Sequence, residues 1–242
     1  MDYRKRVYDV YVSAHFQHLY SLVPEQYEHL TKVYHRRFLP KDRDAKIIGL
    51  ACGARHFLYF LQKEGYVTAR GIDISQQQVD IARQMGVKNI EVGNFWEVLA
   101  TSKDEFDFIS ANDIIEHQRK AEVLDLVYAA LKPRGRILMT TGNPGSLFGA
   151  IVAFSDLTHE TAFTPESLAQ VFRVCGFENV AVYGEEPVAH DLLSAIRLIL
   201  WKMVKALFQA YLLMEGRFGF GIWRGHVIVE PRILAVGYKP CQ

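Results

Sequence analysis

Asp73 closes the apolar stretch VTARGID and is followed by Ile74 and Ser75. A carboxylate just past a buried strand can accept hydrogen bonds from both ribose hydroxyls of a nucleoside, or it can serve as a plain turn residue. Two histidines have the chemistry to take up a proton near neutral pH. His117 ends the string NDIIEH, and His159 lies in the polar string DLTHETAF with Asp156 close by to orient it. His117 also reads as an ordinary hydrogen-bonding residue at a helix start. Glu116 is a weaker candidate that either assists or simply satisfies backbone amides. Further upstream, Tyr11, His15 and His18 fall at i, i+4 and i+7, so one helical face carries a phenol and two imidazoles. That face either roofs a site, with His15 reaching a substrate, or packs as a surface helix. No carboxylate shares its spacing, and Cys52, Cys175 and Cys241 are too scattered for a zinc site or a disulfide framework, so no metal is expected. Cys52 reads as a buried turn residue and Cys175 as a helix core residue.

The elements that must hold these groups alternate along the chain. AKIIGLAC, VTARGIDIS, NIEVGN, FDFIS, RILMTTGN, ENVAVYGEE and RILAVGYKP are short apolar runs bounded by turn formers, as strands buried on both faces are. Between them, ARHFLYFLQKEG carries Phe57, Phe60 and Leu61 on one stripe, and Ser75 with Gln78 predicts a capping box for SQQQVDIARQMG. HQRKAEVLDLVYAALKPRG has Leu124, Val127 and Leu131 at helical spacing and stops at Pro133 and Gly135. Thr164 and Pro165 open TPESLAQVFRVCGF as N-cap and first helical residue. Strict alternation predicts an α/β fold, a parallel sheet with helices on both faces.

Composition limits the rest. Of 242 residues, 50% are hydrophobic and 23% charged, enough for a sizeable core. Lys plus Arg number 28 against 27 acids, a net charge of +1, which argues against a nucleic-acid partner that would need clustered positive charge. The opening MDYRKR has no apolar run behind it, so a cytoplasmic protein is the expectation. Residues 190–215 form a long apolar helix with Ser194, Arg197, Lys202, Lys205 and Gln209 on one stripe. Each basic residue at the centre of a membrane span costs roughly 2.5–3.5 kcal/mol, so a span is not expected. The apolar remainder should meet the N-terminal helices, a second subunit in a homodimer, or the periphery of a membrane.

The order strand, glycine turn, helix, strand, acid, together with FDFISANDIIEH, LKPRGRIL and SDLTHETAFTPESLAQVFRVCGF, resembles the class I S-adenosylmethionine-dependent methyltransferases, especially the bacterial type-11 group, over residues 45–180. The resemblance implies a Rossmann-like methyltransferase fold with a mostly parallel seven-stranded sheet. It divides the chain into an N-terminal helical lid over residues 1–40 and a methyltransferase domain over 41–242 that includes the long helix. It implies S-adenosylmethionine as cofactor. The turn residues Ala51, Gly53 and Arg55 would lie against its methionine part, Asp73 and Ile74 at its ribose, Asn94 and Phe95 beside its adenine, and Ala111 and Asn112 on the methionine side. His117 and His159 would line the acceptor pocket, and His15 remains a candidate from its helical face alone.

The turn departs from the family pattern D-x-G-x-G-x-G, with Gly49, Ala51, Gly53 and Arg55 at those positions. Ala51 is a mild change if its φ is negative, whereas Arg55 either occludes the pocket or turns onto the methionine carboxylate. Asn94 keeps an acceptor oxygen where the family commonly has an acid. The expected activity is methyl transfer to a hydroxyl or amine of a small molecule or glycan intermediate. The competing reading is a methyltransferase-like fold that acts as a binding or scaffold protein, or performs other chemistry.

Overall fold

The computed structural model describes residues 31–53, 56–117, 122–154, 156–215, 222–223 and 226–241, with Val7 and His29 besides. Tyr11, His15 and His18, most of the expected lid, and Arg55 lie outside the described residues.

β1 (Ile47–Leu50) is buried along its whole length, as a central strand covered on both faces must be. It pairs in parallel with β2 (Arg70–Asp73) and β4 (Phe106–Asn112). β3 (Ile90–Val92) continues outward from β2 and β5 (Leu131–Gly142) from β4, again in parallel. β6 (Glu178–Gly184) forms the far edge, and two short strands, β7 (Ile222–Trp223) and β8 (His226–Val227), make a separate hairpin. β9 (Arg232–Tyr238) slots between β5 and β6, antiparallel to both, and the order is β3-β2-β1-β4-β5-β9-β6. The seven-stranded sheet is mostly parallel, as expected, with its antiparallel pairs confined to this end. Strand order reverses between β1 and β4, so the crevice beyond their carboxyl ends is where such sheets bind ligands.

Successive strand residues face opposite ways. Ile48, Ile109 and Ile137 pack with Leu99 of α3 (Phe95–Thr101), Leu124 of α4 (Glu122–Ala130) and Phe172 of α6 (Pro165–Val174). Ile47, Phe108 and Leu138 pack on the other face with Phe60 of α1 (His56–Lys63) and Val79 of α2 (Gln76–Gln84). Each large apolar side chain so buried contributes roughly 1.5–3 kcal/mol. The short helix α5 (Gly149–Phe154) follows β5.

Three local expectations are corrected. Ser75 is the N-cap of α2 but makes no side-chain cap bond; its amide donates to Asp73, and Gln78 is turned towards Gly53, where an added Cβ would lie 3.1 Å from its Oε1. His117, where a helix was predicted to start, closes a 3-10 turn, Ile115–His117, and the described part of the helix, α4, runs Glu122–Ala130. Leu131 already pairs with Phe106, so Pro133 and Gly135 fall within β5 where its register slips against β4, and a missing ladder N–H is tolerated at such an irregularity. The cap at Thr164 is as expected, its hydroxyl accepting from the Ser167 amide.

α7 (Leu192–Met214) opens with a reciprocal capping box between Asp191 and Ser194. The face turned to the domain carries Ser194, Leu198, Trp201, Lys205 and Phe208, whereas Arg197, Lys202 and Gln209 of the expected polar stripe are exposed. Lys205 donates to Glu186 (2.6 Å) and Glu230 (2.9 Å), and Trp201 Nε1 lies 3.3 Å from Glu230 Oε1. Leu193, Ile199, Met203 and Leu207 point outward and are exposed. Among the described residues no helix is long and apolar enough to cross a membrane.

Candidate active site

Two groups of side chains meet the crevice at the carboxyl edge of the sheet. The first is built from the turn after β1. Ala51 and Gly53 both have left-handed backbone, with φ of 43 and 53. The condition under which Ala51 would be a mild change, a negative φ, is therefore not met: the turn takes there the conformation that glycine adopts most readily. Cys52 is buried, and its thiol fills the space over Gly71, where an added Cβ would stand 2.5 Å from Sγ. Burial, reinforced by the Asp73 charge, pushes that thiol's pKa far up, so it is inert packing. The Asp73 carboxylate accepts from the Gly53 amide at 2.7 Å and the Ser75 amide at 2.8 Å. The turn is folded around this one side chain.

Around it, Ile74 is exposed and Phe95 half-buried, with the Phe95 ring stacked on Trp96 at 5.6 Å. Asn94 serves as N-cap of α3, its Oδ1 accepting from the Trp96 amide at 3.1 Å. The same oxygen that was expected to serve a ligand also satisfies a helix N-terminus. Ala111 is wholly buried within the sheet. Asn112 is buried too, its Oδ1 accepting from the Thr140 hydroxyl at 3.0 Å and its Nδ2 donating to Ser110 Oγ at 3.3 Å.

The second group follows β4. The amides of Glu160 and Thr161 both donate to the Glu116 carbonyl, at 2.7 and 3.2 Å, and this stitches the loop after β5 to the 3-10 turn after β4. As a result the rings of His117 and His159 stand 4.6 Å apart, edge to face, beside the Glu116 carboxylate. His117 Nδ1 lies 2.7 Å from the Thr158 hydroxyl, which in turn donates to Asp156 Oδ1 at 2.6 Å. Asp156 therefore orients His117 through Thr158, and not His159 as expected; His159 Nδ1 instead faces the Ala153 carbonyl at 3.1 Å. Burial, then the neighbouring Asp113 charge, raises the Glu116 carboxyl to about 8. Burial, then the proximity of His159, lowers His117 to about 4.

Arg232, the first residue of β9, braces this side. It donates to Asp113 (2.7 Å), Thr140 Oγ1 (2.9 Å) and Glu185 (3.1 Å), and His35 Nε2 lies 3.3 Å from the other oxygen of Glu185. Burial alone would raise the Glu185 carboxyl, but the His35 hydrogen bond and the Arg232 charge outweigh it and hold it below the usual range. The sequence reading did not single out Arg232, Glu185, Asp113 or Thr158. The one available signal was a cation opening an otherwise apolar strand, RILAVGY.

The sheet order is that of a doubly wound α/β domain, and comparison with known proteins narrows the class. A family model described as a methyltransferase domain matches residues 22–182, and the chain belongs to that family. A SAM-dependent methyltransferase from Archaeoglobus fulgidus superposes with a TM-score of 0.65 at 20% identity, covering 93% of this chain and 98% of the other. An S-adenosylmethionine-dependent methyltransferase from Mesorhizobium loti gives 0.55 at 16% identity, with 86% and 97% covered. Phosphoethanolamine N-methyltransferase 2 of Haemonchus contortus, solved with phosphomonomethylethanolamine and S-adenosylhomocysteine, gives 0.61 at 16% identity over 96% of this chain and 60% of the other. At these identities the likeness is one of fold. No curated protein matches the chain.

Proposed function

We propose that this chain transfers a methyl group from S-adenosylmethionine to a hydroxyl or amine of a small molecule or glycan intermediate. The observation that carries the reading is the pairing of His117 and His159 beside Glu116, on the β4 side of the same crevice whose β2 side holds the Asp73 turn. The residues present suit the cofactor. The turn brings its backbone close under two left-handed residues, and the exposed Ile74 and half-buried Phe95 offer apolar surface to a flat base. Asp73 would hold the ribose, and the turn the methionine part.

When bound, S-adenosylmethionine supplies an electrophilic methyl on a sulfonium and leaves as a neutral thioether. The chain's own task is then to position the acceptor in line and to take its proton. His117, oriented at Nδ1 by Thr158, presents its Nε2 to an acceptor O–H or N–H, and Glu116 and His159 stand within reach of the same proton. The scaffold reading draws on Ala51, a strained residue at a family glycine position.

Calorimetric titration with S-adenosylmethionine and S-adenosylhomocysteine tests the proposal. Saturable binding that Asp73→Asn weakens at least tenfold supports it. No binding of either nucleoside at about 1 mM, a contact energy of only ~4 kcal/mol, would leave the scaffold reading in its place.

A further inference from the structure

The acceptor-side cluster has a second property that its histidines' role in proton transfer does not require. One donor atom from each of Glu116, His117 and His159 lies within 4.8 Å of the other two. Ligands around a zinc ion at about 2.0–2.2 Å stand about 3.3 Å apart, so the three side chains must draw closer together to close on an ion. The hydrogen bonds fix both imidazoles in the ligating form. The Thr158 hydroxyl spends its proton on Asp156, so its oxygen accepts and His117 Nδ1 must carry the hydrogen. The Ala153 carbonyl can only accept, so His159 Nδ1 carries the hydrogen there. Each ring is left with its lone pair on Nε2. An imidazole held at Nδ1 by a hydroxyl or carbonyl, with a carboxylate behind, is the support that metal-bound histidines usually have. Independently, Glu116 is 5% exposed and its Oε2 is buried with no hydrogen-bond partner. A buried carboxyl oxygen in that condition is costly unless a proton or a cation meets it.

We propose that Glu116, His117 and His159 bind one divalent first-row transition-metal ion, zinc in particular. Two imidazole nitrogens and one carboxylate oxygen suit zinc and its neighbours and are a poor set for magnesium or calcium, which take oxygen ligands. Three protein ligands leave a coordination position open, and the half-buried His159 forms the exposed side of the set. An ion there would occupy the Nε2 lone pairs, so that the ion, by polarising a bound hydroxyl, and not His117 as a base, would ease the acceptor's loss of its proton. In that respect the inference rests on the methyl-transfer reading and deepens it, favouring an oxygen acceptor over an amine. The expectation of no metal came from the spacing of His15 and His18, and His159 is separated from His117 by too much chain for spacing to reveal it.

The test uses the full chain stripped with a chelator and titrated with Co(II) alone, then Zn(II) alone, with no nucleoside or acceptor present. The expected result is one equivalent of Co(II) bound, with the visible absorption of a four- or five-coordinate ion, displaced by one equivalent of Zn(II). Thr158→Val should weaken binding about 10–100-fold by releasing Nδ1, and His159→Gln should weaken it more. Folding of each variant is checked by circular dichroism. Wild-type protein that leaves Co(II) in its six-coordinate aqueous form overturns the proposal without any variant. So does a folded His117→Gln/His159→Gln double variant that binds as wild type. Because nothing but the metal is added, loss of this site leaves the nucleoside titration to decide methyl transfer by itself.

Discussion

The Arg232 guanidinium donates to the Asp113 carboxylate at 2.7 Å, joining the first residue of the last strand to the loop that carries Glu116 and His117. Asp113 itself has left-handed backbone, with φ of 52, so the loop leaves β4 at a sharp angle that this ion pair braces. Arg232→Ala should destabilise the protein by about 1–3 kcal/mol, in the lower half of that range because the guanidinium is 39% exposed. Chemical denaturation should show a lowered midpoint with an unchanged slope. An unchanged midpoint would mean that the brace carries no load.

Asp73 joins stability to binding. Because it accepts from the Gly53 and Ser75 amides in the free protein, its removal should be felt without any ligand. Asp73→Ala leaves two amides without their charged acceptor and should cost about 2–3 kcal/mol. For a chain of this size that lowers the thermal midpoint by about 4–12 °C. A variant that loses nucleoside affinity with an unaltered midpoint would contradict the geometry of the turn.

Ala51 and Gly53 should respond in opposite directions. Gly53→Ala forces a β-carbon into a left-handed conformation and to within 3.1 Å of Gln78 Oε1, which should cost about 1–2 kcal/mol or more. Ala51→Gly relieves strain of the same kind, offset by ~0.5–1 kcal/mol of added chain entropy in the unfolded state, so it should be neutral or stabilising by up to about 1 kcal/mol. Equal losses in both variants, read by thermal denaturation, would refute the strained turn.

Glu185 gives a pH dependence with a definite sign. Its folded pKa lies below the ordinary value of 4.5, so the folded state holds fewer protons than the unfolded one in that range. The stability it adds is fully present above pH 4.5 and is lost as pH falls through the folded value. Glu185→Gln should therefore lower stability at neutral pH and flatten the acid limb of the stability curve below about pH 4.5. Acid limbs of equal slope in variant and wild type would exclude the linkage.

Much of the frame was legible in the sequence because buried strands are written as short apolar runs. Ile47–Leu50 and Phe106–Ile109 could scarcely be anything else, and Asp73 declared itself as the first acid past such a run. What was hidden depends on backbone angle or on distance along the chain. The sign of φ at Ala51 is invisible in its residue type. Asn94 carries the same amide whether or not it caps a helix, and its capping bond to the Trp96 amide is seen only in the structure. Glu116 reads as the weaker neighbour of His117, yet burial and the Asp113 charge make it the more perturbed base. The meeting of His117 with His159 follows from two amides that bond the Glu116 carbonyl, a contact that no periodicity announces.

The insertion of β9 between β5 and β6 sets an order of assembly. Its residues 232–238 follow β6 and α7 in the chain, yet they supply both neighbours of a seven-stranded sheet with their hydrogen bonds. β1 to β5 can pair as they emerge during synthesis, whereas β6 has no partner among the described strands until β9 arrives after the excursion through α7. Arg232 comes with that strand, so the brace on Asp113 closes only after α7 has been made. Contacts so far apart in sequence form slowly, and until they form β5 offers an open edge that invites pairing with another chain. Nascent chains arrested before Arg232 should therefore contain a protected β1–β5 core by pulsed hydrogen exchange, with an acceptor side that has not yet been built.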